Sequence, residues 1–394
     1  MKFRDSGTND ENITIFSAAT IPLKSGAGLH AFSLSRCISA KGYTTRLVTF
    51  NWGKFQFERV FEDNVPIRRI PFFYRNKLQK VLSLVIQFPF LLYYLVRSDV
   101  FLIYGPVQGY MAMILLGAVF RKRVVYRSTM LGMDDVQSLV EKYPMLAGLR
   151  KRILLTMYGY YSQNPAMTQQ FLAAGGDRNK VFESAQGVDT KYFYPVKKSK
   201  KDELRRSLAI PVDSVIILSV GYLIERKGFR EIFDVLAEID DDFIYVVVGD
   251  YDVDEAHYLA GSREEMRALY DYGKGLLNER LHFTGPVENV IDYYKASDIF
   301  ILNSSMEGTP NVLLESMACG LASAVRKIEG VDGYLTHTGD NSEVIQTKSE
   351  LSSVLNRLLH DVGYREKLAI NARESILRKF SLDQVTDNLL RKFL

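Results

Sequence analysis

The 394-residue sequence has only two cysteines, Cys37 and Cys319, and five histidines. Two thiols are too few for a disulfide scaffold and fit a reducing compartment. No histidine lies between His30 and His257. No Gly-Lys-Ser or Gly-Lys-Thr follows the early glycine-rich loop, which rules out the phosphate loop of nucleoside triphosphatases. Uninterrupted apolar runs are short as well. The most apolar stretch, residues 81–96 (VLSLVIQFPFLLYYLV), holds Pro89 and falls below the roughly 20 residues of a spanning helix. It predicts a buried or interfacial helix and no transmembrane anchor, and the same holds for residues 111–120. The first twelve residues, MKFRDSGTNDEN, mix charges and predict no secretory signal. Hydrophobic residues make up 47% and the net charge is only +4, so disorder is excluded and a cytoplasmic globular protein is expected.

Charge is unevenly placed. Residues 1–195 carry 25 Lys and Arg against 13 Asp and Glu, whereas residues 196–394 carry 25 against 33. A basic first half suggests an anionic partner, either nucleic acid or an anionic membrane face. Tyr93, Tyr94 and Tyr104 lack the interleaved basic residues of a single-strand track, and no recognition module is present, so no nucleic acid partner is expected.

Strand and helix patterns alternate throughout, which predicts an α/β protein with parallel sheets covered by helices. Strands are expected at 13–18, 45–50, 100–104 and 124–127, with a helix over 29–40. A second series has strands at 215–220, 243–248, 281–284 and 299–302, with helices near 230–238 and 311–319. The charge run KKSKKDELRR at 197–206 is the candidate linker. Two doubly wound, Rossmann-like domains facing a central cleft are expected, residues 1–195 and 196–381, with ligands at the loops after the strands.

Three such loops carry the chemistry. Residues 303–320, NSSMEGTPNVLLESMACG, follow a strand and turn at Gly308. Thr309 is the expected helix cap, with Pro310 at the first helical position. The amides of Asn311, Val312 and Leu313 then form an anion site. Glu307 before the helix and Glu315 beyond its first turn can grip hydroxyls on either side of a bound diphosphate; the plainer alternative is two solvated carboxylates. Residues 220–228, VGYLIERKG, present Arg226 and Lys227 to phosphate oxygens or simply to water. Residues 24–29, KSGAGL, carry Gly26 and Gly28, where backbone can approach a phosphate or only make a tight turn. The Asp-x-Asp pairs at Asp250, Asp252 and Asp254 lack His or Cys partners and read as a solvated loop, so no metal and no cofactor are expected. His282 reads as structural.

In order, EGTPNVLLESMACG, GYLIERKG, QGVDTKYFYP (186–195) and SGAGLHAFSLSRCISAKGY resemble the motifs of retaining glycosyltransferases of family 4, the first carrying its Glu-x7-Glu signature at Glu307 and Glu315. The resemblance implies a GT-B fold, with an N-terminal acceptor domain, a C-terminal nucleotide-sugar domain, and a final helix near 382–394 that packs back on the first. It implies that Glu307 contacts the donor sugar, Glu315 the ribose hydroxyls and Lys227 the departing diphosphate, aided by backbone near residues 309–313. The implied reaction moves a sugar from a nucleotide-sugar, UDP-linked in preference to GDP-mannose, to a saccharide or lipid-linked acceptor without a metal. Cell-surface polysaccharide synthesis at the inner membrane face is the implied setting, with peripheral contact to anionic lipid. Two positions depart from the pattern. Tyr222 stands where the family usually has Arg, and VVYRSTMLGMDD has no His where the family often carries one. Arg127, Ser128 or Thr129 lines that place, followed by Asp134 and Asp135, for which a helix-cap role is an alternative. The departures leave open a non-catalytic nucleotide-sugar-binding or partner-binding subunit of the same fold.

Overall fold

A computed structural model describes residues 9–20, 25–73, 75–142, 144–252 and 262–394. Asp254, His257 and the Lys24 start of the first glycine loop lie outside these residues. Two compact units are formed: the first runs to Gly187 and takes in Leu382–Leu394, and the second is Val188–Ser381.

The first unit contains β1 (Asn9–Ser17), α1 (Gly26–Ala40), β2 (Tyr43–Trp52), β3 (Glu58–Glu62), β4 (Val65–Phe72), α2 (Lys77–Arg97) and β5 (Val100–Tyr104). It continues through α3 (Tyr110–Val119), β6 (Arg123–Arg127), α4 (Val136–Glu141), α5 (Ala147–Leu155), β7 (Gly159–Ser162), α6 (Pro165–Ala173) and β8 (Val181–Glu183). The sheet runs β3-β4-β2-β1-β5-β6-β7-β8 and is parallel apart from β3, which forms an antiparallel hairpin with β4. Its central strands are buried on both faces, as their unbroken apolar runs demand. One face packs α2 to α6 through Leu91, Leu95, Met113, Leu139, Leu154 and Phe171. The other packs α1, together with Leu382, Leu389, Leu390 and Phe393 from the C-terminal helix.

The second unit opens with α7 (Lys198–Ser207), β9 (Val215–Val220), α8 (Phe229–Ala237), β10 (Phe243–Val248), α9 (Arg263–Leu277), β11 (Leu281–Gly285) and α10 (Val290–Ala296). It closes with β12 (Ile299–Leu302), α11 (Asn311–Ala318), β13 (Ala322–Arg326), β14 (Glu343–Ile345), α12 (Lys348–His360) and α13 (Val362–Ser375), after which α14 (Leu382–Phe393) returns to the first unit. Its sheet is parallel throughout in the order β11-β10-β9-β12-β13-β14. That order reverses direction between β9 and β12, the topological switch point where doubly wound sheets take ligands.

Two expectations are corrected. The charge run at 197–206 is no linker but helix α7, because Lys201 and Arg205 lie one turn apart and both reach Asp298. Lys201 Nζ donates to Asp298 Oδ1 at 2.8 Å and Arg205 Nη2 to Oδ2 at 2.6 Å, with Arg205 buried. Residues 81–96 belong to a longer helix, Lys77–Arg97, which is long and apolar enough to cross a membrane. Of its residues, Ser83, Gln87, Leu91 and Leu95 are buried.

Asp298 also accepts the Ile216 amide of β9 at 2.8 Å. Burial pushes its carboxyl up, but Lys201 and Arg205 outweigh this and hold it below the usual range. Asp298→Ala strands the buried Arg205 charge and is expected to cost about 3 kcal/mol, read from urea unfolding. Asp298→Asn, which keeps one acceptor, is expected to cost less.

Candidate functional site

The residues that line the switch point come from two neighbouring strands. Beyond β9 the chain runs through Gly221 to Gly228, and beyond β12 through Asn303 to Pro310. Hydrogen bonds join these loops: the Ser305 amide donates to Arg226 O at 2.9 Å, and Asn303 Nδ2 to Gly228 O at 3.1 Å. Gly228 has φ +68°, and a Cβ there would stand 2.4 Å from Asn303 O. Only glycine fits where the loops touch.

That contact brings Lys227 onto Glu307. Lys227 Nζ donates to Glu307 Oε1 at 2.7 Å, and Arg226 Nη1 reaches the same oxygen at 3.3 Å while also donating to Met306 O. The Lys227 and Glu307 side chains are only 14% and 12% exposed. Burial pushes the Glu307 carboxyl up, but the Lys227 charge and hydrogen bond, with Arg226 behind them, hold it below its ordinary value. Two cations on one carboxylate leave an excess positive charge, which suits an anion. Tyr222, in the same loop, adds no charge; burial and then Asp250 push its hydroxyl up.

Glu315 behaves in the opposite way. It sits on α11 and accepts the Tyr294 hydroxyl at 2.8 Å on Oε2. Burial pushes its carboxyl up to about 7, against the partial opposition of that hydrogen bond. Tyr294, on α10, is wholly buried, with its ring 5.9 Å from Phe193 and 6.1 Å from Phe300. No sequence motif marks it, since VIDYYKA is an ordinary helix; Asn303 lay inside a quoted motif but had no role there.

The start of α11 differs from expectation. Pro310, not Thr309, is the cap residue, and Asn311 is the first helical residue. The Pro310 side chain makes no cap bond. The Leu313 amide donates to Pro310 O at 3.1 Å, so it is already engaged in the turn. Gly308, Thr309, Asn311 and Val312 lead into and open this helix, with Thr309 buried.

Gly26 and Gly28 belong to the first unit, at the start of α1. Gly28 has a packing reason to be glycine: its Cβ would stand 2.0 Å from Ala19 O. Its amide donates to the Ser25 cap at 3.0 Å. At the end of β6, Arg127 is fully buried, with its guanidinium 4.5 Å from the Tyr104 ring centre and 5.1 Å from that of Tyr161. Nη2 donates to Gln186 Oε1 at 2.7 Å, while Nε and Nη1 have no partner among the described residues. His30, whose Nδ1 lies 3.0 Å from the Tyr104 hydroxyl, is held well below its usual range by burial and then by Arg127, and is neutral. Ser128 pairs with Tyr160 at 2.8 Å, and Asp134 accepts the Thr129 and Met130 amides. Asp135 caps α4 by accepting the Ser138 amide at 2.9 Å. Neither aspartate is held ready for a ligand.

The remaining signals resolve as structure. Asp252 is bound by Arg263 and Arg267, which hold its carboxyl far below the usual range. His282 lies in β11, lowered by burial and by Lys274. Among the described residues no three His, Cys, Asp or Glu side chains gather as a metal site.

Residues 200–375 match the family described as glycosyl transferases group 1. The lipopolysaccharide core biosynthesis glycosyltransferase LpsD of Rhizobium meliloti is 28% identical over 190 residues, 48% of this chain and 52% of its own. An N,N'-diacetylbacillosaminyl-diphospho-undecaprenol alpha-1,3-N-acetylgalactosaminyltransferase of Campylobacter jejuni is 28% identical over 196 residues, 49% and 48% of the two chains. The chain spans about half the length of the curated relatives it matches. Among solved structures, Anabaena HepE in complex with UDP and glucose superposes with a TM-score of 0.73 at 17% identity, covering 97% of this chain and 98% of that one. Sucrose-phosphate synthase of Thermosynechococcus elongatus does so with 0.76 at 17% identity, again covering 97% and 98%. The fold is GT-B, two Rossmann-like α/β units.

The raised Glu315 carboxyl has a consequence for stability. A group that binds its proton more tightly folded than unfolded makes the fold lose stability as pH rises from the ordinary 4.5 to about 7. Glu315→Gln removes that loss. The variant is expected to match the parent near pH 4.5 and to exceed it by up to about 3 kcal/mol above pH 7, measured by urea unfolding across this range.

Proposed function

From a GT-B chain whose residues 200–375 match the family described as glycosyl transferases group 1, we propose a retaining, metal-independent glycosyltransferase. It moves a sugar from a nucleotide-sugar, UDP-linked in preference to GDP-mannose, to a hydroxyl of a saccharide or lipid-linked acceptor in cell-surface polysaccharide synthesis. The observation that carries this reading is the Lys227–Glu307 pair at 2.7 Å, flanked by Arg226, on the two loops of the switch point. The names of the lipopolysaccharide-core and undecaprenol-diphosphate relatives favour a glycan acceptor, and the UDP in the HepE crystal favours a UDP-linked donor.

In this reading the donor diphosphate takes Lys227 and Arg226 from Glu307. The carboxylate so released accepts hydroxyls of the donor sugar. Glu315 accepts the ribose hydroxyls, and the backbone at Gly308, Thr309, Asn311, Val312 and Leu313 lies against the phosphates. Gly26 and Gly28, in the first unit, are read as glycines whose backbone can approach a phosphate of the donor. The bond from the sugar C1 to the diphosphate oxygen breaks, and its electron pair goes to that oxygen. Lys227 and Arg226 neutralise the charge as it develops, the largest single form of catalytic stabilisation available to such a site. The acceptor hydroxyl bonds to C1 on the face the leaving group vacates and passes its proton to a phosphate oxygen, so configuration is retained without a covalent intermediate. Arg226 supplies the second cation that Tyr222 does not. The second reading, a non-catalytic subunit of the same fold, draws on Tyr222 and on the burial of Arg127 where the family often has His.

Calorimetric titration with UDP and with GDP in EDTA separates these readings. UDP is expected to bind in EDTA and to bind at least about tenfold more weakly to Glu315→Ala. Binding that returns only with magnesium or manganese overturns metal independence, and no binding of either nucleotide favours the subunit. Lys227→Ala is expected to lower turnover by about 10²- to 10³-fold, with product anomeric configuration read by NMR. Nucleotide affinity is expected to rise with pH through about 7 as Glu315 ionises. Tyr294→Phe, which removes a donor to the carboxylate, is expected to move that midpoint upward; an unmoved midpoint counts against Tyr294 as a positioning residue.

A further inference from the structure

Three neighbouring strands of the second sheet, β9, β12 and β13, end beside one another, and a chain of side chains runs across their ends. Arg326 is the last residue of β13, Asn303 follows the last residue of β12, and Gly228 closes the loop after β9. Glu231, in the first turn of α8, joins the first two. Its Oε2 accepts Arg326 Nη1 at 2.9 Å and Asn303 Nδ2 at 3.0 Å. Asn303 Nδ2 also donates to Gly228 O at 3.1 Å. No local motif marks Glu231 or Arg326.

An amide nitrogen carries two hydrogens, and here each has an acceptor. Both neighbours are oxygens that only accept, so the nitrogen must face them and the turn of the Asn303 side chain is fixed. Asn303 is only 3% exposed, so a hydrogen left unmet there finds no water to replace its partner. Without Glu231 the amide is free to rotate, and its bond to Gly228 O loses its aim.

Gly228 O matters because of what precedes it. Residues 225–227 form one tight turn, with the Lys227 amide on Ile224 O at 3.0 Å and the Gly228 amide on Glu225 O at 2.9 Å. The turn moves as one piece and carries Lys227 with it. Two kinds of bond join it to the loop after β12. The first kind uses the cations: Lys227 and Arg226 on Glu307, and Arg226 on Met306 O. The second does not: the Ser305 amide on Arg226 O, and Asn303 on Gly228 O. An anion that draws the cations away breaks the first kind and leaves the second to hold the turn.

We infer that Glu231 is a positioning residue for Lys227. It aims the Asn303 amide at Gly228 O and so sets where the Lys227 ammonium stands when an anion replaces Glu307. Arg326 holds Glu231 in turn from the next strand. That the anion is the donor diphosphate rests on the proposed function; that Glu231 sets the place of Lys227 does not. The Arg326 and Glu231 side chains are 36% and 29% exposed, so losing their pair leaves the fold standing.

The test uses the full chain with its lysines labelled with carbon-13 at Cε, where the Lys227 signal is the one missing from Lys227→Ala. Without any ligand, Glu231→Ala and Asn303→Ala are both expected to move this signal. Glu231→Gln keeps an acceptor for Asn303 and is expected to leave it in place. Calorimetric titration with UDP then reads the anion-bound state. Glu231→Ala is expected to weaken UDP about fivefold, and Glu231→Gln less than about twofold. Glu231→Ala with Asn303→Ala is expected to bind no more weakly than Asn303→Ala alone, and Glu231→Ala to cost nothing further in Lys227→Ala. A Lys227 signal that neither alanine variant moves overturns the inference. So does a Glu231→Gln that behaves as Glu231→Ala does, which assigns the effect to charge acting through space, and so do losses that add in full. A parent protein that binds no UDP sinks the donor reading and leaves the Lys227 signal to decide this one.

Discussion

The parallel pairing of β9 with β12 is the constraint on which the site depends. Their paired positions are 82 residues apart in sequence, Ile217 with Ile299 and Leu218 with Phe300. Ser219 Oγ adds a bond to Ile301 O at 2.8 Å, and Asp298 clamps the Ile216 amide at the start of the pair. Because the two strands leave the sheet in the same direction, their loops emerge side by side. The crossovers then diverge to either side, so no helix fills the space between the loops. Lys227 and Glu307 meet there as a consequence of strand order.

Two carboxylates of the second unit are tuned in opposite directions. Glu307 is buried beside two cations and stays ionised. Glu315 is buried beside a hydroxyl alone and titrates near neutrality. Burial acts on both in the same sense, so the difference is the charge of the neighbour. A permanently ionised carboxylate is a ready partner for a cation that must later be given up to phosphate. One poised near 7 binds hydroxyls only after it loses its proton, which couples ligand affinity to pH.

Much of the fold was legible because buried parallel strands are short apolar runs bounded by turns. The expected strands at 100–104, 215–220, 243–248 and 299–302 coincide with β5, β9, β10 and β12. The readings that went astray depended on partners far along the chain. KKSKKDELRR looks solvated until Asp298, about a hundred residues later, is placed beside Lys201 and Arg205. Residues 81–96 leave a buried and an interfacial helix equally open until the backbone at Pro71 and Phe73 claims Ser83 and Gln87. Thr309 looks like a cap by composition, but Pro310 holds that place and Thr309 is buried.

The order and spacing of local motifs determined a great deal by themselves: the alternation of elements, the Glu307 and Glu315 spacing on one loop and helix, the Arg226–Lys227 dipeptide after a strand, and the glycine at 228. These are short-range properties, set by backbone geometry and periodicity within about ten residues. Only the tertiary structure decided that Lys227 neutralises Glu307, that Tyr294 holds Glu315, and that Arg127 is buried on two tyrosine rings. Each of those depends on contacts between segments brought together by the sheet, and the free energy of a buried charge is fixed by what stands beside it, not by its neighbours in sequence.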